Sequence, residues 1–322
     1  MTSTLLNVMD LKLALRTPRG TAKVLDGVNF YINKSEVFGL VGETGCGKTV
    51  TSLSIIGLLP KNAELSGKIV LEGEDLLEKS ESEMQAVRGK KISMVLQDPM
   101  SSLNPVFSIG EQICDVILMH HDVTKAEAER IAIDMLKSVE MPEPQTCFKL
   151  YPHELSGGML QRAAIAMALS PKPALVIADE PTSALDVTIQ KQILGLFTKL
   201  KMDLGISVLL ITHDLGVIAE ICDRVAIMYA GTVVEMASTM DLFKNAVHPY
   251  TKGLLGCVPN PSKREKGLSY IEGFVPDMVN PPSGCRFHPR CGKATAICSV
   301  EKPSLIDLGN GHVVACHLAK KV

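Results

Sequence analysis

The chain has 322 residues, enough for one large α/β domain and a smaller appendage. Its 33 Lys and Arg stand against 35 Asp and Glu, without the basic excess of a nucleic-acid binder, so DNA and RNA are excluded as partners. No apolar run reaches the ~20 residues of a membrane-spanning helix, and Met1–Leu6 does not begin a secretory leader, so a cytoplasmic location is expected.

Two strands are predicted near the start, Leu11–Leu15 and Val24–Ile32, separated by the turn-like Thr17-Pro18-Arg19-Gly20 and read as antiparallel and peripheral. Val37–Val41 is a short apolar strand, followed by a glycine-rich loop and a helix through Ile55 and Ile56. A polar section from Lys61 to Lys91 precedes a buried strand at Ile92–Leu96. From Ile109 to Leu169 the period is helical; in Lys125–Val139 the residues Ile131, Met135 and Val139 recur every four. Strands at Leu175–Ala178 and Val208–Ile211 bracket a helix near Ile189–Leu204, and Arg224–Met228 with Thr232–Glu235 reads as a terminal hairpin. Alternation of strands and helices implies a mostly parallel sheet. The expected fold is α/β: a mostly parallel sheet with an antiparallel β subdomain, a helical insertion and a small C-terminal cysteine-rich extension. The expected division is 1–240 for the main domain, with the helical subdomain about 98–168, and 241–322 for the extension, where prolines and then cysteines accumulate.

Gly42-Glu43-Thr44-Gly45-Cys46-Gly47-Lys48-Thr49 fits the pattern G-x-x-x-x-G-K-[ST]. Its glycines let backbone N–H groups converge on an anion at a helix N-terminus, Lys48 supplies charge to the β- and γ-phosphates, and Thr49 binds Mg²⁺; the nucleotide-binding run extends to Val50. A glycine-rich turn with no nucleotide is the competing reading, and placement between a strand and a helix opposes it. Leu175–Glu180 delivers two adjacent carboxylates at a strand end, where open α/β sheets place ligands. Asp179 is assigned to Mg²⁺ and Glu180 to the attacking water as general base; a solvated strand end is the default alternative.

A third element, Leu155-Ser156-Gly157-Gly158-Met159-Leu160-Gln161-Arg162, resolves the ambiguity, for here the chain resembles the ATP-binding-cassette family. Gln97 in Gln97-Asp98-Pro99, the segment Ser183-Ala184-Leu185-Asp186 and His213 complete that family's pattern in order. The resemblance implies a P-loop NTPase cassette over residues 1–240. It further implies that Ser156, Gly157 and Gly158 open a helix towards the γ-phosphate of a partner cassette, that His213 contacts the γ-phosphate and supports Glu180, that Gln97 senses Mg²⁺ and water, and that Asp186 joins the nucleotide-site residues. The family's N-terminal adenine-stacking aromatic is missing, since nothing aromatic precedes Phe30. Leu15, Arg16 or Arg19 is left to hold adenine, which implies modest affinity and weak base selectivity.

Fewer than 120 residues lie between the phosphate loop and Leu155, without a heptad run, which sets the chain apart from DNA-repair cassettes, and a single cassette sets it apart from translation factors. Gln97–Pro105 and His248-Pro249-Tyr250-Thr251 resemble the peptide and nickel importer branch, most nearly the dipeptide/oligopeptide importer ATPases. That resemblance implies an ATPase on the cytoplasmic face of the cell membrane, with ATP and Mg²⁺, two transmembrane permease subunits, a second related ATPase subunit and an extracytoplasmic substrate-binding protein. Nickel-chelate or glutathione-like cargo, or a nucleotide- or redox-dependent regulatory module, are the alternatives.

Of nine cysteines, Cys46, Cys114, Cys147, Cys222 and Cys257 read as packing residues. Cys285, Cys291, Cys298 and Cys316 form C-x5-C-x6-C-x17-C. Four thiolates can ligate zinc or a [4Fe–4S] cluster; the wide spacing, and the resembled subfamily, lean towards the cluster, with Zn²⁺ or free packing thiols as alternatives.

Overall fold

Two fourteen-residue strands open the chain, β1 (Thr4–Thr17) and β2 (Gly20–Asn33), in the computed structural model, which describes residues 3–183, 185–258 and 270–319. There follow β3 (Val37–Val41), α1 (Lys48–Ile55), β4 (Ala63–Leu71), β5 (Glu74–Asp75), α2 (Glu81–Val87), β6 (Ile92–Val95) and the short α3 (Pro99–Ser102). Four helices come next, α4 (Ile109–His120), α5 (Lys125–Ser138), α6 (Pro144–Cys147) and α7 (Gly157–Leu169). The chain continues through β7 (Leu175–Asp179), α8 (Val187–Leu204), β8 (Ser207–Thr212), α9 (Leu215–Ile221), β9 (Arg224–Tyr229), β10 (Thr232–Ser238), α10 (Thr239–Asn245), α11 (Pro249–Cys257), β11 (Ile306–Asp307) and β12 (Val313–Val314).

The chain divides into two compact units. The first comprises Met1–Ser3, Asn33–Val37 and Glu78–Ile211. Here β6, β7 and β8 run parallel, with Val95 opposite Ala178 and Asp179 opposite Ile211. Leu175–Ala178 and Val208–Ile211 are buried throughout, as strands of a parallel sheet covered on both faces must be. Capping boxes start α2 (Ser80 with Glu83), α4 (Ser108 with Glu111) and α5 (Thr124 with Glu127), each satisfying two orphan N–H groups. The α5 face that packs inward carries Ala128, Ala132, Met135 and Leu136; Ile131, expected on it, is only half-buried.

The second unit comprises Thr4–Ile32, Phe38–Leu77 and Thr212–Val322. One sheet has the order β2-β1-β4-β5. Strand β4 falls in the section read only as polar, with no element assigned. Its outer residues face water, so only Ile69 and Leu71 are fully buried, too few to make an apolar run, yet it pairs antiparallel with β1 from Leu6↔Leu71 to Leu15↔Ala63. That ladder is interrupted between Met9 and Lys12, where Asp10 takes a φ of 45° and faces Gly67, whose φ is 108°. A Cβ on Gly67 would lie 2.5 Å from the Asp10 carbonyl oxygen, so glycine is required there.

In the same unit β3 pairs parallel with β9, while β9–β10, β10–β12 and β12–β11 are antiparallel. The fold is therefore an α/β P-loop ATPase with mixed parallel and antiparallel sheets and helical insertions, and β10 is not the end of its sheet. The expectation of a distinct cysteine-rich C-terminal extension is corrected: Val313 and Val314 add a strand beside Met236 and Glu235, and Phe287, Cys298, Val314 and Cys316 are buried within this unit. The segment was set apart because prolines and then cysteines accumulate in it, but its buried apolar residues join the core of this unit. Among the described residues no helix is long and apolar enough to cross a membrane.

Candidate nucleotide site

The phosphate loop runs from the end of β3 into α1, in the second unit. Gly47 is the residue before the helix, with a φ of 108°, and Gly45 has a φ of 82° with nothing within 4 Å of where its Cβ would be. A Cβ on Gly42 would sit 2.2 Å from the Met228 carbonyl oxygen. The loop is thus crowded against β9 on one side and open at Gly45, the shape of a backbone cradle for an anion. Lys48 is buried and its Nζ donates to the carbonyls of Gly42 (2.7 Å) and Glu43 (3.3 Å). Thr49 and Thr44 are exposed and Val50 is half-buried. Cys46 packs inside: its N–H donates to Glu43 O, its carbonyl accepts from Gly231 N–H at 2.8 Å, and burial pushes its thiol up. His213, exposed, follows β8 directly, and Asp214 caps α9.

Residues far along the chain surround Glu43 in this unit, and they were not assigned to the nucleotide site from sequence. Its carboxylate accepts from Arg290 Nη1 at 2.9 Å, and its N–H donates to the Tyr250 hydroxyl at 3.1 Å. Tyr229, Tyr250 and Phe287 form an aromatic cluster with centroids 4.7 to 5.3 Å apart. The His248-Pro249-Tyr250-Thr251 segment was the available signal: His248 caps α11 and delivers Tyr250 to the loop.

Below this cluster a buried carboxylate organises the chain. Glu235 accepts from Val247 N–H (2.6 Å) and His248 N–H (3.0 Å), and its Oε1 lies 2.8 Å from His312 Nε2. Burial pushes the His248 imidazole down to about 4, and its Nδ1 accepts from Tyr250 N–H, as only an unprotonated nitrogen can. The unfolded chain protonates this ring near its ordinary value of 6.5, so between about 6.5 and 4 the unfolded state holds the extra proton. Stability is whole above that window and falls as the pH drops through it, by about 3 kcal/mol from this group. Denaturation midpoints measured from pH 7 to 4 should show this loss, and His248→Asn, which keeps a capping side chain, should flatten it.

The remaining sequence-identified residues belong to the first unit. Gln97, exposed, lies two residues beyond Val95, and Asp179 ends the neighbouring β7, so both leave the C-terminal edge of the parallel strands. Glu180 has a φ of 47°, a strained conformation held from both sides: its N–H donates to Ile211 O at 2.8 Å and its carbonyl accepts from Ser183 N–H and Oγ. Ser156 caps α7, its Oγ accepting from Met159 N–H. Asp186 caps α8, accepting from the N–H groups of Thr188 and Ile189. A Cβ on Gly158 would meet Ile189 at 2.9 Å, so glycine lets the starts of α7 and α8 approach. Arg162, unassigned from sequence, ties α7 to Val139 O (2.6 Å) and Gln192 (3.1 Å). Ala184, within the segment Ser183–Asp186, lies outside the described residues. Of the adenine candidates, Leu15 is half-buried, Arg16 pairs with Glu64, and Arg19 pairs with Asp277 at 2.6 Å.

The expected metal centre is corrected. Among the described residues no group of three or more His, Cys, Asp or Glu is placed to hold a metal ion, so neither a [4Fe–4S] cluster nor zinc is assigned to Cys285, Cys291, Cys298 and Cys316. All four are free cysteines, burial pushes the thiols of Cys285 and Cys316 up, and Cys285 N–H donates to Cys298 O at 2.8 Å, joining two turns of chain.

Two family descriptions match the chain, ABC transporter over residues 25–183 and the oligopeptide/dipeptide transporter C-terminal region over residues 234–298. An oligopeptide transport ATP-binding protein of Bacillus subtilis (strain 168) is 48% identical over 318 residues, covering 98% of this chain and 97% of its own. A dipeptide transport ATP-binding protein of the same organism is 46% identical over 315 residues, covering 97% and 94%. Among solved structures, the dimeric post-hydrolysis state of an ATP-binding cassette bound to ADP and Pi superposes with a TM-score of 0.66 at 26% identity, over 73% of this chain and 99% of that one.

Proposed function

The chain belongs to the ATP-binding subunits of the peptide and oligopeptide ABC importers, and from that premise we propose that it hydrolyses ATP to energise the uptake of di- and oligopeptides. The observation that carries this reading is similarity to dipeptide and oligopeptide transport subunits over nearly the whole chain, the C-terminal region included.

Each residue of the pattern takes a role in the proposed reaction. The N–H groups of Gly42–Val50 and the Lys48 ammonium bind the phosphates, their charge matched to the β- and γ-oxygens. The hard oxygen donors Thr49, Gln97 and Asp179 suit Mg²⁺, which when bound neutralises charge on the phosphates. Glu180 orients the water that attacks the γ-phosphorus and accepts its proton as the bond to the β–γ bridging oxygen breaks, yielding ADP and phosphate. His213 supports Glu180 and the γ-phosphate. Ser156, Gly157 and Gly158 offer a helix N-terminus to the γ-phosphate held by a partner cassette, with Asp186 at the adjoining helix start. Residues 1–240 act as the cassette, with its helical subdomain about 98–168, and 241–322 as a C-terminal segment; the separate matches over 25–183 and 234–298 support that division.

The working machine in this reading contains two transmembrane permease subunits, a second related ATPase and an extracytoplasmic substrate-binding protein, with this chain on the cytoplasmic face. Co-expression with those subunits and reconstitution into vesicles test it. Hydrolysis stimulated by di- or oligopeptides, with their uptake, is the expected result. Stimulation by nickel chelates or glutathione but not by peptides would replace the cargo assignment, and failure to assemble with the permease would sink the transport reading.

A further inference from the structure

We propose that Arg290 and Arg286 are positioning residues for the nucleotide, clamping the phosphate loop at two points and masking a carboxylate built into it. The proposal rests on the reading of Gly42–Thr49 as the ATP loop.

Glu43 places a negative charge within a loop whose chemistry is to bind phosphate, and an unmasked carboxylate there repels the ligand. Arg290 answers that charge. Its side chain is 7% exposed against 27% for Glu43, and Nη1 lies 2.9 Å from the carboxylate. The remaining guanidinium nitrogens are anchored: Nε donates to Glu272 O at 2.8 Å and Nη2 to Ile271 O at 3.2 Å, with the Tyr229 hydroxyl 3.4 Å from Nη1. A planar fork held on several bonds has little freedom left, so it fixes the direction of Glu43 as well as neutralising it.

That direction matters because Glu43 is joined to the phosphate-binding atoms. Its carbonyl accepts from Lys48 Nζ and from Cys46 N–H, while its own N–H donates to the Tyr250 hydroxyl. Displacement of the Glu43 backbone therefore moves an anchor of the lysine that meets the phosphates.

Arg286 supplies the second point. Its Nη1 donates to Ala230 O at 2.5 Å and Lys23 O at 3.1 Å, and the next residue, Gly231, donates its N–H to Cys46 O at 2.8 Å. Ala230 and Gly231 have φ values of 46° and 79°, and a Cβ on Gly231 would fall 2.0 Å from Val24 O. This tight turn, stabilised by Arg286, holds the middle of the loop as Arg290 holds its start. Residues 286 and 290 thus carry the C-terminal segment's influence into the ATP site.

The test is steady-state ATP hydrolysis by the assembled transporter, with KM and kcat separated and melting temperatures recorded without nucleotide. Arg290→Ala should raise KM for ATP about tenfold, a typical coupling between sites, with a smaller change in kcat. Glu43→Gln added to Arg290→Ala should restore most of the lost affinity, because the charge left unmasked is gone. A role confined to folding would lower the melting temperature without that rescue. Arg290→Lys, which keeps the charge and most of the volume, should raise KM about threefold and guards against an Arg290→Ala chain that does not assemble. An unchanged KM in Arg290→Ala or Arg290→Lys, or a double variant no better than Arg290→Ala, overturns the proposal. Loss of ATP binding in Lys48→Ala within the same series would show that the nucleotide reading survives such a failure; a wild-type transporter that ATP does not saturate would remove both.

Discussion

Glu180→Gln is expected to lower ATP turnover by about 10²- to 10⁴-fold, the range for removing a general base, while ATP binding stays within a few-fold of wild type. The substitution is nearly isosteric, and the backbone that presents residue 180 is held by bonds independent of its side chain, from its N–H to Ile211 O and from Ser183 to its carbonyl. The strained φ of 47° is thereby retained, so the variant tests chemistry and not folding. What is lost is the carboxylate proposed to orient water and accept its proton. The nucleotide-bound pair of cassettes should accumulate, since the step that dissolves it is blocked. Single-turnover hydrolysis with radiolabelled ATP is the measurement, and undiminished turnover would remove Glu180 from its role.

Lys48→Ala is expected to weaken ATP binding by about 10²-fold or more, from the loss of charge-assisted bonds to phosphate worth about 1.5–3 kcal/mol each. In the structure the ammonium is buried against the carbonyls of Gly42 and Glu43, partners that phosphate oxygens outbid with full negative charge. Removing it leaves the buried Gly42 carbonyl without the ammonium, a cost to folding that the melting temperature registers. Equilibrium binding of a fluorescent ATP analogue, with melting temperature as control, separates the two effects. A change in affinity below about threefold would show that backbone N–H groups alone hold the phosphates.

The nucleotide motifs were legible because their chemistry is local. A phosphate cradle needs glycines and a lysine at fixed spacing before a helix, so eight contiguous residues carry it, and the structure places them between β3 and α1. The strand that ends at Asp179, before Glu180, was legible for the same reason, as a short buried apolar run. Strand β4 was hidden because one face meets water and its partner, β1, lies some fifty residues earlier; pairing, not propensity, makes it a strand.

The C-terminal segment shows the opposite limit. Its cysteine spacing suggested a metal site, yet spacing states only how far apart residues lie along the chain, and among the described residues the side chains do not gather to hold an ion. The contact between Arg290 and Glu43 spans 247 positions, and no pattern in the sequence joins them. By itself the sequence determined the family and the glycine-rich loop between β3 and α1, since each depends on neighbours along the chain. Only the tertiary structure decided that the C-terminal strands enter the sheet of the second unit, that Arg290 reaches Glu43 of the phosphate loop and that Arg286 reaches the turn at Ala230. Burial of charge against charge and the pairing of distant strands depend on which segments share a core, a property of the folded chain that local order does not encode.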